Sequence, residues 1–307
     1  MKAPGRFAFL TVALLFVPSS PGDIFRVATY NVENYLDQPT ATHRYAKSAA
    51  SRAKVRESIR ALHPDVLALE EMGTTNALQE LCASLQAEGE SFPFREWIEG
   101  ADTNIHIAVL SRLPIVARRP HTRETFLLDG KRLRVERGFA EVDIQAAPDF
   151  TFTLIAAHLK SRRAVPSTDE ALERLEEAKI LRRLVDEHFH AAPDAKLIVL
   201  GDFNDVKNSE PVRTIIGHGK FRLTDTRPAE RRGDGAAEQM SSGALRAVTW
   251  THYYGEEDTY SRIDYILISP ALTRFWRTNG TYVLALAGWG TASDHRPLVA
   301  EFQTESR

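Results

Sequence analysis

Short runs of apolar and β-branched residues recur along the chain, separated by polar stretches. Those at 24–30, 66–69, 105–110, 134–144, 152–157, 197–200, 265–268, 281–286 and 298–302 read as strands. Residues 45–62 and 168–189 carry the wider spacing of a helix. In the second, Leu172, Leu175, Leu181, Leu184 and Val185 recur near helical spacing, and Ser167 with Glu170 can form a capping box. Many strands with few helices between them predict a mixed α/β layered domain. A simple doubly wound fold fits poorly, because several strands follow one another across short gaps. No internal repeat, heptad pattern or Pro/Gly/Ser-rich linker divides the chain. Residues 227–243 are rich in charge, Gly and Ser, and read as a surface loop or insertion.

Residues 1–22 stand apart from this pattern. Lys2 and Arg6 give a positive start, 7–17 is an apolar run, and Pro18-Ser19-Ser20-Pro21-Gly22 is small and turn-prone. That is the layout of a secretory signal peptide. As a helix the run would span about 16 Å, roughly half of a bilayer core, which is too short for a stable membrane anchor. The expected division is a signal peptide at 1–22 and a single domain at 23–307, acting as a monomer in the periplasm or outside the cell. No protein partner can be inferred.

Composition narrows the chemistry. The 307 residues include 39 basic and 41 acidic side chains, a formal charge of −2 that becomes −4 once Lys2 and Arg6 are removed. A near-neutral chain does not hold nucleic acid by bulk electrostatics alone, but it can act on phosphates at one local site. Cys82 is the single cysteine, which excludes an intramolecular disulfide and a thiolate zinc cluster. A metal centre here must be built from oxygen and imidazole.

The informative feature is what stands at the strand ends. The run at 24–30 ends in Asn31, and 66–69 ends in Glu70-Glu71. The run at 152–157 ends in His158, and 197–200 enters Gly201-Asp202-Phe203-Asn204. Asp264 opens one further strand, and Asp294-His295 precedes another. In antiparallel neighbours the exit of one strand lies beside the entrance of the next, so one sheet edge can gather all of these. Carboxylates and amides without thiolates favour a hard cation such as Mg²⁺ or Mn²⁺. Two histidines and several carboxylates add hydrogen-bond donors and acid–base groups. The set suits hydrolysis of a phosphate ester.

The segments Ala28-Thr29-Tyr30-Asn31-Val32-Glu33-Asn34, Asp65-Val66-Leu67-Ala68-Leu69-Glu70-Glu71, His158-Leu159-Lys160-Ser161, Leu200-Gly201-Asp202-Phe203-Asn204-Asp205, Arg262-Ile263-Asp264-Tyr265-Ile266-Leu267 and Ser293-Asp294-His295-Arg296-Pro297 carry a family likeness. In this order the chain resembles the endonuclease/exonuclease/phosphatase superfamily, the relatives of pancreatic-type deoxyribonuclease and exonuclease-III-type repair nucleases. The resemblance spans nearly all of the mature chain. It implies a four-layer α/β sandwich, with two packed mixed β-sheets flanked by helices, and metal-dependent phosphoester hydrolysis. By motif position, Glu71 rather than Glu70 resembles the metal-binding glutamate, with Asn31 and Asp294 on the metal side. Asn31 also resembles a phosphate-side residue. Asp202 resembles the carboxylate that activates water, and Asn204 a phosphate contact. His295 resembles the histidine at the scissile phosphate, with Asp264 orienting it, and His158 resembles the second histidine.

The substrate is read from local signals. Lys160, Arg162 and Arg163 follow the motif histidine, so Lys160 and Arg162 are expected to contact phosphate. Arg118-Arg119, Lys131-Arg132 and Arg231-Arg232 are further basic clusters, read as solvated, charge-mixed surface. Trp250, Trp276 and Trp289 are isolated in sequence and expected to pack, and no apolar hairpin for membrane insertion is evident. The His158 segment resembles an exported bacterial nuclease-like branch. These features place an endonuclease on DNA or RNA first, a sphingomyelinase-like or small-molecule phosphodiesterase second, and a catalytically silent binding protein third.

Overall fold

A computed structural model describes residues 22–40, 42–163, 169–231 and 249–305. All of the expected signal peptide except Gly22, and the Ser167 half of the capping box, lie outside the described residues. In chain order, β1 (Ile24–Tyr35) leads through α1 (Ala49–Leu62) to β2 (Val66–Met72), then α2 (Thr75–Ala87), β3 (Phe94–Ile98) and β4 (His106–Ser111). Next come β5 (Ile115–His121), β6 (Thr125–Leu128), β7 (Lys131–Arg134), β8 (Phe139–Ala147) and β9 (Phe150–His158). The chain continues through α3 (Glu170–Ala191), β10 (Leu197–Asp202), α4 (Glu210–Ile216), β11 (Thr224–Asp225) and β12 (Ala229–Arg231). It ends with β13 (His252–Tyr254), β14 (Thr259–Ser261), β15 (Asp264–Ile268), β16 (Trp276–Leu284) and β17 (Leu298–Gln303).

Two mixed sheets form, ordered β12-β16-β17-β1-β2-β4-β3 and β11-β15-β10-β9-β8-β5. Each contains a parallel pair bridged by a helix: β1 and β2 through α1, and β9 and β10 through α3. Most other neighbours are antiparallel, as expected where short loops join successive strands. The strands alternate between two cores. Phe25 and Val27 of β1 pack with Phe152, Leu154, Ile198 and Leu200 between the sheets. Ala28 and Tyr30 face the other way, toward Val55 and Ile59 of α1 and Leu81 and Leu85 of α2. On the second sheet Leu197 and Val199 meet Leu181, Leu184 and Val185 of α3. Both faces of the central strands are therefore covered, which explains their nearly unbroken apolar runs. The result is the expected four layers, helix–sheet–sheet–helix.

Several expectations are corrected in detail. The first helix starts at Ala49, not residue 45, because Ser48 turns extended and its Oγ accepts the Ser51 N–H. The second starts at Glu170, with the Asp169 carboxylate accepting the Ala171 and Leu172 N–H groups. Leu172 is exposed, while Glu173, Arg174 and Glu177 are buried in its place. The N-terminal half of α3 docks on loop backbone rather than apolar side chains: Glu177 accepts the Glu136 and Lys160 N–H groups, and Arg174 donates to the Lys160 carbonyl. The single strand expected at 134–144 is two strands, β7 and β8, broken at Gly138, whose φ is +68°. Helix α2 was not anticipated. Within the expected loop at 227–243, Ala229–Arg231 pairs in parallel with β16. The remainder from residue 232 lies outside the described residues.

Candidate active site

The carboxyl ends of the two parallel pairs meet at one edge of the sandwich. Asn31 pairs with Glu70 in one sheet, while Asp202 pairs with both His158 and Asp264 in the other. The backbone there is irregular. Register shifts interrupt β1 against β2 between Asn31 and Tyr35, and β2 against β4 between Leu69 and Met72. Glu33, Asn34, Glu71 and Asn204 take φ values of +44°, +51°, +61° and +54°. Non-glycine residues held there cost about 1–3 kcal/mol each, and such strain gathers where side chains must be aimed. Gly201 serves a different need. A Cβ on it would lie 2.0 Å from the Ala157 carbonyl oxygen, so β9 and β10 approach closely only without a side chain at this position.

A chain of contacts runs across the edge. The Thr251 hydroxyl donates to Asp264 Oδ2 at 2.5 Å, and His295 Nδ1 bonds the same oxygen at 2.9 Å. His295 Nε2 then faces Asp202 Oδ2 at 3.7 Å. The Asn31 amide donates to that Asp202 oxygen and to Glu71 Oε1, each at 3.0 Å. The Glu33 N–H, bonded to Asn31 Oδ1 at 2.9 Å, sets this amide orientation. Glu71 is held from its other oxygen by the Asn34 N–H at 2.9 Å. Asn204 donates its N–H to Asp202 Oδ1 and its side-chain amide to the Leu159 carbonyl. His158 Nε2 stands 3.9 Å from Glu71 Oε1 and 3.7 Å from Asp202 Oδ2, beyond hydrogen-bond range.

Burial and neighbouring charges tune these groups differently. Burial works against a charged His295, but Asp264, Asp202 and Asp294 outweigh it and hold its pKa well above the ordinary value. Burial, with repulsion from Arg137 and His295, drives the His158 pKa well below normal, so this imidazole is neutral. Burial and the Asp264 charge raise Asp202, although His295, Asn204 and Asn31 oppose them. A proton donor thus faces a carboxylate with raised proton affinity, the pairing that acid–base catalysis uses.

Glu70 and Glu71, adjacent in sequence, part at the irregularity in β2. Glu70 is fully buried, accepts the Thr29 hydroxyl at 2.7 Å, and has its pKa raised well above normal, chiefly by burial. Glu71 faces the open edge with Glu33 and Asp294. Burial, then repulsion from Asp294 and Glu71, pushes Glu33 up to about 7, with Lys47 opposing. Lys47 donates to the Glu33 carbonyl at 2.8 Å. Asp294 and Glu71, close enough to raise the proton affinity of Glu33, form with it an acidic cluster that fits a hard divalent cation. Glu71 and Asp294, with Glu33 beside them, would hold it, and it would neutralise charge on a phosphoryl oxygen.

Not every expected residue arrives at this edge. Lys160, expected to contact phosphate, has its Nζ paired with Glu136 and 3.4 Å from Glu173. Arg162 is exposed on the rim and donates to Ser261 Oγ at 3.2 Å. Arg118 is paired with Glu96, and Arg119 with Glu141 and Asp143. Trp250 and Trp289 are not isolated; their ring centroids lie 5.2 Å apart, and Trp250 also meets Tyr260 at 4.8 Å. Trp276 packs as expected, against the core between the sheets. The hairpin β13–β14 stands beside Asp294 and carries Tyr253, Tyr254 and Tyr260. With Glu33, Glu256, Trp289 and Asp294, the first two of these tyrosines line a cleft of about 690 Å³.

Sequence reasoning overlooked Glu33, Lys47, Thr251, His252 and Ser293 as site residues. The Ser293 hydroxyl donates to the Asn31 carbonyl at 2.8 Å and accepts the His295 N–H at 3.0 Å, tying the loop that carries His295 to the end of β1. Glu33 and Ser293 lie inside the motif segments and could have been found there. Lys47 and His252 are outside them.

The sequence profile of the Endonuclease/Exonuclease/phosphatase family matches residues 28–295, and the chain belongs to that family. Its members are phosphoric ester hydrolases that generally depend on a divalent metal. No curated protein matches the chain. Among solved structures, the catalytic domain of human nocturnin with bound sulfate shares 17% identity at a TM-score of 0.61, covering 92% of this chain and 98% of its own. Sphingomyelinase C from Streptomyces griseocarneus shares 17% at 0.60, covering 92% and 100%. An endonuclease/exonuclease/phosphatase family protein from Bacteroides thetaiotaomicron shares 18% at 0.57, covering 93% and 100%. These likenesses establish the fold.

Proposed function

We propose that the chain is an exported, Mg²⁺- or Mn²⁺-dependent nuclease that cleaves phosphodiester bonds in DNA or RNA. The observation that carries the hydrolytic reading is the convergence of Asp264-bonded His295 on Asp202, 3.7 Å away, which the Asn31 amide joins to Glu71. Asp202 accepts a proton from the attacking water. His295, oriented by Asp264, donates to a phosphoryl oxygen as negative charge grows there. Neutral His158 and the Asn204 amide stand beside the same phosphate, and Asn31 holds the two carboxylates in register. Water attacks in line and gives a proton to Asp202; the bond from phosphorus to the leaving oxygen breaks, that oxygen takes a proton from solvent and departs as an alcohol, and the other product carries a new phosphate monoester.

Arg162 supports a polynucleotide substrate, because its exposed guanidinium on the rim can meet the next phosphate along a strand. The acidic hairpin turn, Glu256-Glu257-Asp258, repels a polyanion from the hairpin's tip. One observation favours a second reading, a lipid phosphodiesterase: Tyr254 and Tyr260 expose 39% and 55% of their surface on a hairpin next to the site. Incubation with plasmid DNA, single-stranded DNA, RNA, sphingomyelin and bis-p-nitrophenyl phosphate, with Mg²⁺ or EDTA, separates the readings. Cleavage of either nucleic acid, abolished by EDTA, is expected. Cleavage of sphingomyelin alone would reverse the order.

A further inference from the structure

One imidazole beside the site takes no part in this chemistry. Strand β13 is stitched to the segment carrying Asp294 and His295: Tyr253 N–H donates to the Asp294 carbonyl at 3.0 Å, and Arg296 N–H to the Thr251 carbonyl at 2.7 Å. His252 and His295 are thereby paired across the backbone, and their rings lie 4.6 Å apart. His252 Nε2 stands 3.6 Å from Asp294 Oδ2, and His295 Nε2 stands 3.9 Å from Asp294 Oδ1. One ligand atom from each of the three residues falls within 4.8 Å of the others. His252 Nδ1 is buried without a hydrogen-bond partner among the described residues.

We infer that His252, Asp294 and His295 form a second, nitrogen-rich metal site that takes Zn²⁺ and that, when filled, inhibits the enzyme. Tetrahedral zinc binds imidazole nitrogen and carboxylate oxygen at about 2.0–2.2 Å, which places ligand atoms somewhat over 3 Å apart. The three side chains need a contraction of about 1 Å to reach that spacing, within the range of ordinary χ adjustment. Two imidazoles and a carboxylate, with a fourth position left for water, are a zinc set. The neighbouring oxygen donors Glu33 and Glu71 instead suit Mg²⁺. Asp294 belongs to both sets, so the two metals compete for it. Zinc also occupies His295 Nε2, releasing the proton held there and taking away the donor that faces the phosphate. The inhibitory half of this inference rests on the proposed hydrolysis; the binding half does not.

Zinc titration calorimetry and the visible absorption of Co²⁺ as a zinc substitute test the site on the full chain, with Mg²⁺ titrated in parallel. Wild-type protein should bind Zn²⁺ and give the intense absorption of a tetrahedral Co²⁺ site. His252→Ala should weaken zinc by more than the roughly 10–100-fold that loss of an outer partner costs. Its Mg²⁺ affinity should stay within about threefold, because magnesium has little use for imidazole. His252→Gln provides a second, better-filled variant if the alanine form does not fold by circular dichroism. Unchanged zinc affinity in a folded variant would overturn the site. In the presence of Mg²⁺, Zn²⁺ should suppress hydrolysis of bis-p-nitrophenyl phosphate by the wild type. Full hydrolysis with zinc bound would overturn the inhibitory role. The titration uses no substrate, so absence of hydrolysis on every ester would count against the proposed function alone.

Discussion

In one sheet the parallel pair β1–β2 ends in Asn31 and Glu71, and in the other the pair β9–β10 ends in His158 and Asp202. Both pairs are joined by a helix and both deliver polar groups from their carboxyl ends. Their surroundings differ. The first runs into backbone of positive φ at Glu33, Asn34 and Glu71, where carboxylates share an open edge with Lys47. The second ends in a closed environment, in which Asp202, Asp264 and His295 are each at most 5% exposed. Crowded carboxylates at an open edge attract a cation, whereas buried acid–imidazole contacts hold protons in place. The same local architecture thus yields a cation side and a proton-transfer side, with the Asn31 amide bonded to both.

The sharpest way to break this division is on the proton side. His295→Ala should lower kcat by about 10²–10⁴-fold, the range for a positioned acid–base group, with the folded far-ultraviolet spectrum retained. Asp264→Asn should lower it by about 10²-fold or more while KM changes little, since His295 loses its orienting charge. On the cation side, Glu71→Gln should weaken Mg²⁺ by at least about 10-fold in calorimetry. Near-normal affinity would place the cation elsewhere.

A smaller effect separates Lys160 from Arg162. Lys160→Ala should cost about 1–3 kcal/mol in denaturant unfolding, because it leaves buried Glu173 without its cation, yet it should leave polynucleotide affinity intact. Arg162→Ala should leave stability unchanged, weaken polynucleotide binding several-fold, and reduce the salt slope by about one. The smallest effect is in pH. The Glu33 carboxyl in the folded, metal-free protein has a pKa raised from the ordinary 4.5 to about 7. Between those values the folded state keeps a proton that the unfolded chain releases, so metal-free stability should fall as pH rises through this window. Cation binding displaces that proton, so Mg²⁺ affinity should rise over the same interval. Calorimetry in buffers of different ionisation enthalpy measures the proton release.

The strand termini were legible because an apolar strand that stops at Asn31, His158 or Asp202 leaves a polar group at a predictable edge. The four layers were legible only through family resemblance, since apolar periodicity alone does not assign strands to sheets. Lys160 could not be placed from sequence. Its direction is decided by Glu136 and Glu173, which reach it from a distant loop and from α3. Buried Glu173, Arg174 and Glu177 break the apolar face expected for the start of α3. The separation of Glu70 from Glu71 depends on a backbone irregularity that no side-chain pattern announces. Helix α2 did carry a signal, in Leu78, Leu81, Cys82 and Leu85. His252 lay hidden because a three-residue strand has too few positions to show a period.

The division into two sides is tested most directly by following bis-p-nitrophenyl phosphate hydrolysis across a wide Mg²⁺ range in Glu71→Gln and His295→Ala. Excess Mg²⁺ should restore much of the turnover of Glu71→Gln, whose defect is cation affinity, and should restore none in His295→Ala. Equal rescue of both variants, or rescue of neither, would contradict a site split between holding a cation and moving a proton.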